Sequence, residues 1–179
     1  MAATLTLRLT APRPAETAQQ RLERLYRTSR DDVYAYVASM LRDQTLAEDV
    51  TALAFERAFR RRGLFDARRG SERAWLFGIA RNAALDELRR RKRSAAAVLE
   101  QSARAGAESA RDEAVLGRTV LRKAMGELSP RERELIALKF FAGLSNGEIA
   151  RVLGLSESNV GTSLHRTITK LRKACDEEA

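Results

Sequence analysis

The sequence predicts an all-α protein built as two small helical domains joined by a flexible linker, with a helix-turn-helix in the second domain. Three observations carry that expectation. Apolar residues recur at i, i+3 and i+4 along most of the chain, the spacing of one helix face. Ser, Thr, Pro and Gly fall where helices start and stop. Bulky apolar residues almost vanish between Ser94 and Asp112, leaving Val98 and Leu99 in a stretch rich in Ala, Ser, Glu and Arg. With 179 residues there is room for one medium domain or two small ones, and that interruption favours two.

Residues 1–20 read as a flexible arm, because Met1–Gln20 lacks the apolar block and cleavage site of a secretory leader. Leu22, Leu25 and Tyr26 mark a first helix, and Val33, Val37, Met40 and Leu41 a second. Thr45 is placed to cap a third, about 46–62. That helix carries two apolar stripes: Leu46, Val50 and Leu53, and then Ala52, Phe55 and Phe59. A small domain buries one stripe readily, so the second is either core or a docking face for a partner protein. A loop from Gly63 to Gly70 follows. Gly70 or Ser71 then opens a long helix with Trp75, Leu76, Ile79, Ala83 and Leu88, ending in Arg89-Arg90-Arg91-Lys92-Arg93. These elements make an N-terminal domain over 21–93, with 94–112 as linker and 113–179 as the C-terminal domain.

In the second domain, Val120, Leu121, Ala124 and Leu128 begin a helix. Ser129-Pro130-Arg131-Glu132 supplies N-cap, N1 proline and N3 glutamate for the next, whose apolar residues are Leu135, Ile136, Leu138 and Phe140. Ser145 and Glu148 form a second capping box, and the short helix with Ile149, Ala150 and Leu153 stops at Gly154. Ser156 caps a last helix whose Val160, Leu164, Ile168 and Leu171 face inward. Glu157, Ser158, Asn159, Thr162, His165 and Arg166 then project outward, as a recognition helix in a major groove requires. An ordinary helical hairpin would share the stripe, but the turn chemistry and both caps agree with a helix-turn-helix.

The formal charge of +9 is concentrated. Between Arg57 and Arg93 there are thirteen Lys or Arg against four acids, so this stretch holds the whole excess. Such a field attracts phosphate backbones. No apolar run is long enough to span a membrane. One Cys and one His, Cys175 and His165, are too few for zinc, and no metal or cofactor is expected. No phosphate-cradling glycine loop or nucleophile triad can be assembled. Asp86 and Glu87 point about 100° apart on their helix and read as charges offsetting nearby arginines, so the chain is expected to bind and not to catalyse.

Two segments carry a family resemblance. Leu46-Ala47-Glu48-Asp49-Val50, then Phe55-Glu56-Arg57-Ala58-Phe59, then Trp75 through Arg90, resemble region two of bacterial sigma factors; the C-terminal domain resembles their region four. Two domains with a short linker resemble the extracytoplasmic-function group. The resemblance covers about Leu22 to Ala174.

It implies a cytoplasmic, nucleoid-associated promoter-specificity subunit whose partners are core RNA polymerase and promoter DNA, with an anti-sigma protein as a further partner. Asp49, Ala52, Phe55 and Phe59 would meet the polymerase clamp, though the family usually has Gln at the place of Ala52. Asp66, Arg68, Arg69, Ser71, Arg81, Asn82, Arg89 and Arg90 would serve promoter melting and the upstream core element. Trp75 matches the family's structural tryptophan. The outward residues of the last helix would read the distal element, with Gly161 standing where relatives often carry Lys or Arg. The C-terminal domain by itself also resembles the output domain of quorum-sensing and response regulators, which would make the chain a stand-alone regulator; the N-terminal half shows no receiver or ligand-binding pattern.

Overall fold

A computed structural model describes residues 16–102 and 120–176. All regular structure among them is helical: α1 (Ala18–Leu41), α2 (Gln44–Arg60), α3 (Glu72–Ser102), α4 (Val120–Glu127), α5 (Pro130–Phe140), α6 (Asn146–Leu153) and α7 (Glu157–Asp176). Two single-turn 3₁₀ helices, Arg62–Leu64 and Ala67–Arg69, interrupt the loop expected between α2 and α3. Helices α1–α3 pack on one another, and α4–α7 make the second bundle. Most of the expected arm, residues 1–15, and the linker from 103 to 112 lie outside the described residues.

The local chemistry explains most boundaries. Thr17 and Gln20 form a capping box at α1, so Ala18–Gln20 belong to a helix and not to the arm. The two helices expected in the first forty residues are one. Nothing between Arg27 and Asp32 breaks the backbone ladder: Thr28 returns its hydroxyl to the Arg24 carbonyl at 2.9 Å, and Ser29 is buried. Helix α2 is capped by Asp43, whose carboxylate accepts from the Leu46 amide at 3.0 Å, and not by Thr45. Ser71 caps α3 through the Ala74 amide. That helix passes the expected linker boundary at Ser94 and runs to Ser102, because a run of alanines favours helix and no Gly or Pro stops it.

In the second bundle, the capping boxes of Ser129 with Glu132 and Ser145 with Glu148 both form, and Gly154 adopts φ 68°, ψ 38°. Ser156 accepts from the Asn159 amide at 3.2 Å to start α7. Of the apolar residues of α5, Leu135, Ile136 and Leu138 are buried, whereas Phe140 is 63% exposed. Two residues on from Leu138 it is turned about 200° around the helix, away from the core.

The two bundles share one apolar cluster. It runs from Leu25, Val33, Tyr36 and Phe77 in the first to Leu135, Leu138, Ile149 and Val160 in the second. Helix α5 lies on α1, and α6 approaches α3. This contact between bundles is absent from the sequence-level expectation.

Candidate nucleic-acid interface

Three surfaces hold the residues singled out by sequence. The first is a cavity of about 600 Å³ at the start of α3, lined by Leu64, Phe65, Asp66, Arg69, Ser71, Trp75, Gly78, Ile79 and Asn82. Its geometry follows from the irregular loop. Asp66 accepts from the Arg68 amide at 2.9 Å, closing the second 3₁₀ turn. Gly70 then takes φ 142°, which side-chain-bearing residues rarely adopt, and turns the chain into α3. Phe65 packs against Trp75 with ring centroids 5.7 Å apart. The result is a pocket with an aromatic and aliphatic wall and a rim of Asp66, Arg69, Ser71 and Asn82. Such a lining suits a flat, polar-edged ring: apolar surface stacks and the rim exchanges hydrogen bonds with its edge. Trp75 is half-buried, serving both the core and the cavity wall.

The other promoter-melting candidates on this domain divide. Arg68 is exposed beside the cavity. Arg89 and Arg90 are exposed on α3, where Arg90 makes two 2.8 Å contacts with Glu87 and Arg89 lies 3.5 Å from Asp86. Asp86 also pairs with Arg57 at 3.0 Å. The adjacent acids therefore go to separate arginines, but only Asp86, 52% exposed, is a surface charge; the Glu87 side chain is 13% exposed and is held between Arg90 and Arg91. Arg81 behaves differently. It does not line the cavity, and its Nε donates at 2.7 Å to Glu134 of α5.

The second surface is α7. Glu157, Ser158, Asn159, Thr162, His165 and Arg166 are all exposed, while Val160, Leu164 and Thr167 are buried. Ile168 and Leu171 are half-buried behind them. A single face of six polar residues is thus held by an apolar one against α5 and α6. Gly161 opens that face, with Asn146 its one near neighbour at 3.7 Å from an added Cβ.

The third surface is α2. Asp49 and Ala52 are exposed and Phe59 is 46% exposed, with the Arg62 guanidinium 4.4 Å from its ring centroid. Phe55 lies elsewhere: it is 7% exposed and meets Tyr26 edge-on at 4.8 Å. The second stripe is therefore split between core and surface.

Sequence reasoning missed Tyr36 and Glu134. Tyr36 is fully buried and donates its hydroxyl to Glu134 at 3.2 Å, and burial together with that carboxylate pushes its phenol well above the ordinary range. The available signal was modest: Glu134 lies one turn ahead of Leu138 on the buried face of α5, an unusual place for an acid. Among the described residues no cluster of His, Cys, Asp and Glu could hold a metal, and no helix is long and apolar enough to cross a membrane.

Comparison with known proteins places this geometry in a family. Residues 25–94 match Sigma-70 region 2 and residues 118–171 match Sigma-70 region 4. The sigma factor SigL of Mycobacterium tuberculosis is 31% identical over 173 residues, covering 95% of this chain and 96% of SigL. BldN of Streptomyces coelicolor is 32% identical over 160 residues, covering 87% of this chain, which spans 61% of BldN. Among solved structures, CnrH in complex with the cytosolic domain of CnrY is 26% identical with a TM-score of 0.63, covering 90% of this chain and 91% of that one. RpoE of Bartonella quintana, solved with the anti-sigma factor NepR, shares the fold at 23% identity and TM-score 0.69, covering 88% and 98%. A region 2 match in the N-terminal half disfavours the stand-alone regulator. The chain belongs to the extracytoplasmic-function RNA polymerase sigma factors.

Proposed function

We propose that this sigma factor reads two promoter elements with the two surfaces above and joins core RNA polymerase through the exposed part of α2. The observation that carries the reading is the cavity at the start of α3, a pocket with an aromatic and aliphatic wall and an equally extensive polar lining inside the most basic stretch of the chain. A base turned out of the duplex would stack on its wall while Asp66, Ser71 and Asn82 meet its edge; Arg68, Arg69, Arg89 and Arg90 would hold the displaced backbone. On α7, Arg166, Asn159 and Thr162 present donors and acceptors suited to base edges of the distal element, with Glu157, Ser158 and His165 flanking them. Asp49, Ala52 and Phe59 form the polymerase contact, and Phe55 supports it from beneath.

An anti-sigma protein is a further proposed partner, supported by the complexes in which CnrH and RpoE were solved. No chemistry at these surfaces requires a cofactor or a catalytic group.

Run-off transcription with purified core RNA polymerase on fragmented genomic DNA tests the function. Discrete new start sites that share two spaced upstream motifs are the expected result. Sequence-specific duplex binding with no initiation would favour the independent regulator.

A further inference from the structure

We propose that Asn146 is a further DNA-binding residue of the helix-turn-helix: its side-chain amide, oriented by Lys139 and uncovered by Gly161, donates to a backbone phosphate beside α7. The inference rests on the assignment of α7 to the distal promoter element.

Asn146 is the first residue of α6 and is half-buried. Lys139, in the last turn of α5, donates to its Oδ1 at 3.3 Å and to the Leu144 carbonyl at 3.5 Å. The first of these bonds fixes which way the amide faces. An ammonium group only donates, so the carbonyl oxygen turns toward Lys139 and Nδ2, with its two N–H groups, turns away. On that side lies Gly161 of α7, where an added Cβ would meet Nδ2 at 3.7 Å and no other atom within 4 Å. Among the described residues nothing accepts from Nδ2. Glycine weakens the interior of a helix, and what the missing side chain leaves open here is this amide.

The chemistry selects the acceptor. Asparagine reads adenine with its oxygen and nitrogen together, and here the oxygen is turned to Lys139. Two N–H groups without an adjoining acceptor suit a phosphate oxygen. In a helix-turn-helix the first helix crosses the DNA backbone while the second enters the groove, which brings the start of α6 to the phosphates. The bond from Lys139 also polarises the amide and strengthens Nδ2 as a donor. Glu157, the one acid among the six outward residues of α7, packs against Gly147 one turn ahead of Gly161. A phosphate is therefore disfavoured at the start of α7 and admitted beside Gly161. Asn146 supplies a neutral donor at a place where α7 offers no side chain, and Lys139 is its positioning residue.

The test uses holoenzyme reconstituted from the full chain and core RNA polymerase. Filter binding is measured with a randomised-promoter duplex library, and with its best-bound member over a range of salt. For Asn146→Ala the expected affinity is about fivefold to tenfold lower, the worth of one hydrogen bond, with the distal consensus retained. The slope of log affinity against log salt stays that of the wild type, because an amide displaces no counterion; loss of a cation contact would lower it by about 0.9. Asn146→Asp separates binding from folding. It keeps the bond from Lys139 and puts an acid in the first turn of α6, which the helix dipole favours, but it removes both donors. It should bind more weakly than Asn146→Ala while melting no lower than the wild type. Lys139→Met should weaken binding with the same slope, and should cost nothing further when combined with Asn146→Ala.

Wild-type affinity in Asn146→Ala or Asn146→Asp would overturn the inference. A changed consensus would do so too, by making Asn146 a base reader, as would fully additive losses on combining Lys139→Met with Asn146→Ala. Arg166→Ala in the same library separates the two levels: if it also leaves consensus and affinity untouched, the assignment of α7 fails, whereas a change there with none in Asn146→Ala rejects this inference alone.

Discussion

Phe65 and Trp75 lie with ring planes at 59° and centroids 5.7 Å apart, so the irregular loop after α2 is pinned to the first turn of α3 by an aromatic pair. Such pairs are worth about 0.5–1.5 kcal/mol beyond the area they bury. The Arg21 guanidinium of α1 lies 5.9 Å from the centroid of the Phe65 ring, a second contact on the loop. Cavity shape therefore depends on Phe65 as directly as on the polar rim.

Phe65→Ala and Arg69→Ala are expected to impair open-complex formation more than closed-duplex binding. Permanganate footprinting of unpaired thymines beside filter binding of duplex promoter measures the two separately. Equal loss in both assays would make Arg69 a plain phosphate contact.

The split of α2 into core and surface predicts opposite outcomes for two phenylalanines. Phe55→Ala should lower unfolding free energy by about 3–5 kcal/mol, as expected for a buried ring. Phe59→Ala should stay within about 0.5 kcal/mol of the parent and weaken binding to core polymerase. Chemical denaturation and polymerase pull-down on the same preparations check both, and full polymerase binding by Phe59→Ala would remove that residue from the interface.

On α7, Arg166→Ala should relax sequence preference at the distal element by about 1–3 kcal/mol, the worth of a good base contact. Selection from a randomised promoter library measures it. A preserved consensus with uniformly lower yield would reassign Arg166 to the backbone.

Acid should destabilise the fold. Four carboxyls sit below their ordinary range. Asp43 accepts from the Leu46 amide and then from Arg91. Glu87 is held by Arg90. Glu132 accepts from Ser129 and pairs with Lys170. Burial opposes ionisation of Glu148, but bonds from Ser71 and Ser145 outweigh it. Because these folded-state values are depressed, the folded chain binds fewer protons than the unfolded one through the carboxylate range. Their stabilisation is complete above the ordinary values and is lost as pH falls through the depressed ones. Thermal melts from about pH 7 downward should show Tm falling through that range; a flat profile would mean that these bonds persist in the unfolded ensemble.

Which features were legible follows from their range along the chain. The two capping boxes in the C-terminal bundle, the glycine stop at Gly154 and the inward stripe of α7 depend on neighbours within four residues, and each formed as read. Where local signals competed, the reading slipped. Asp43 capped α2 in place of Thr45, and α1 continued through Thr28 and Ser29 because their hydroxyls found partners within the folded chain. The arrangement of Asp66, Arg69, Ser71 and Asn82 around a cavity required the left-handed turn at Gly70 and the Phe65–Trp75 contact, which periodicity does not encode.

By itself the sequence determined the helical class, the caps, the outward face of α7 and the concentration of charge between Arg57 and Arg93, because spacing and composition act locally. Only the tertiary structure decided that Phe55 is core while Phe59 is surface, and that Arg81 faces Glu134 across 53 residues of chain. Those outcomes depend on which helices meet and at what rotation, and that is set by the summed packing of both bundles.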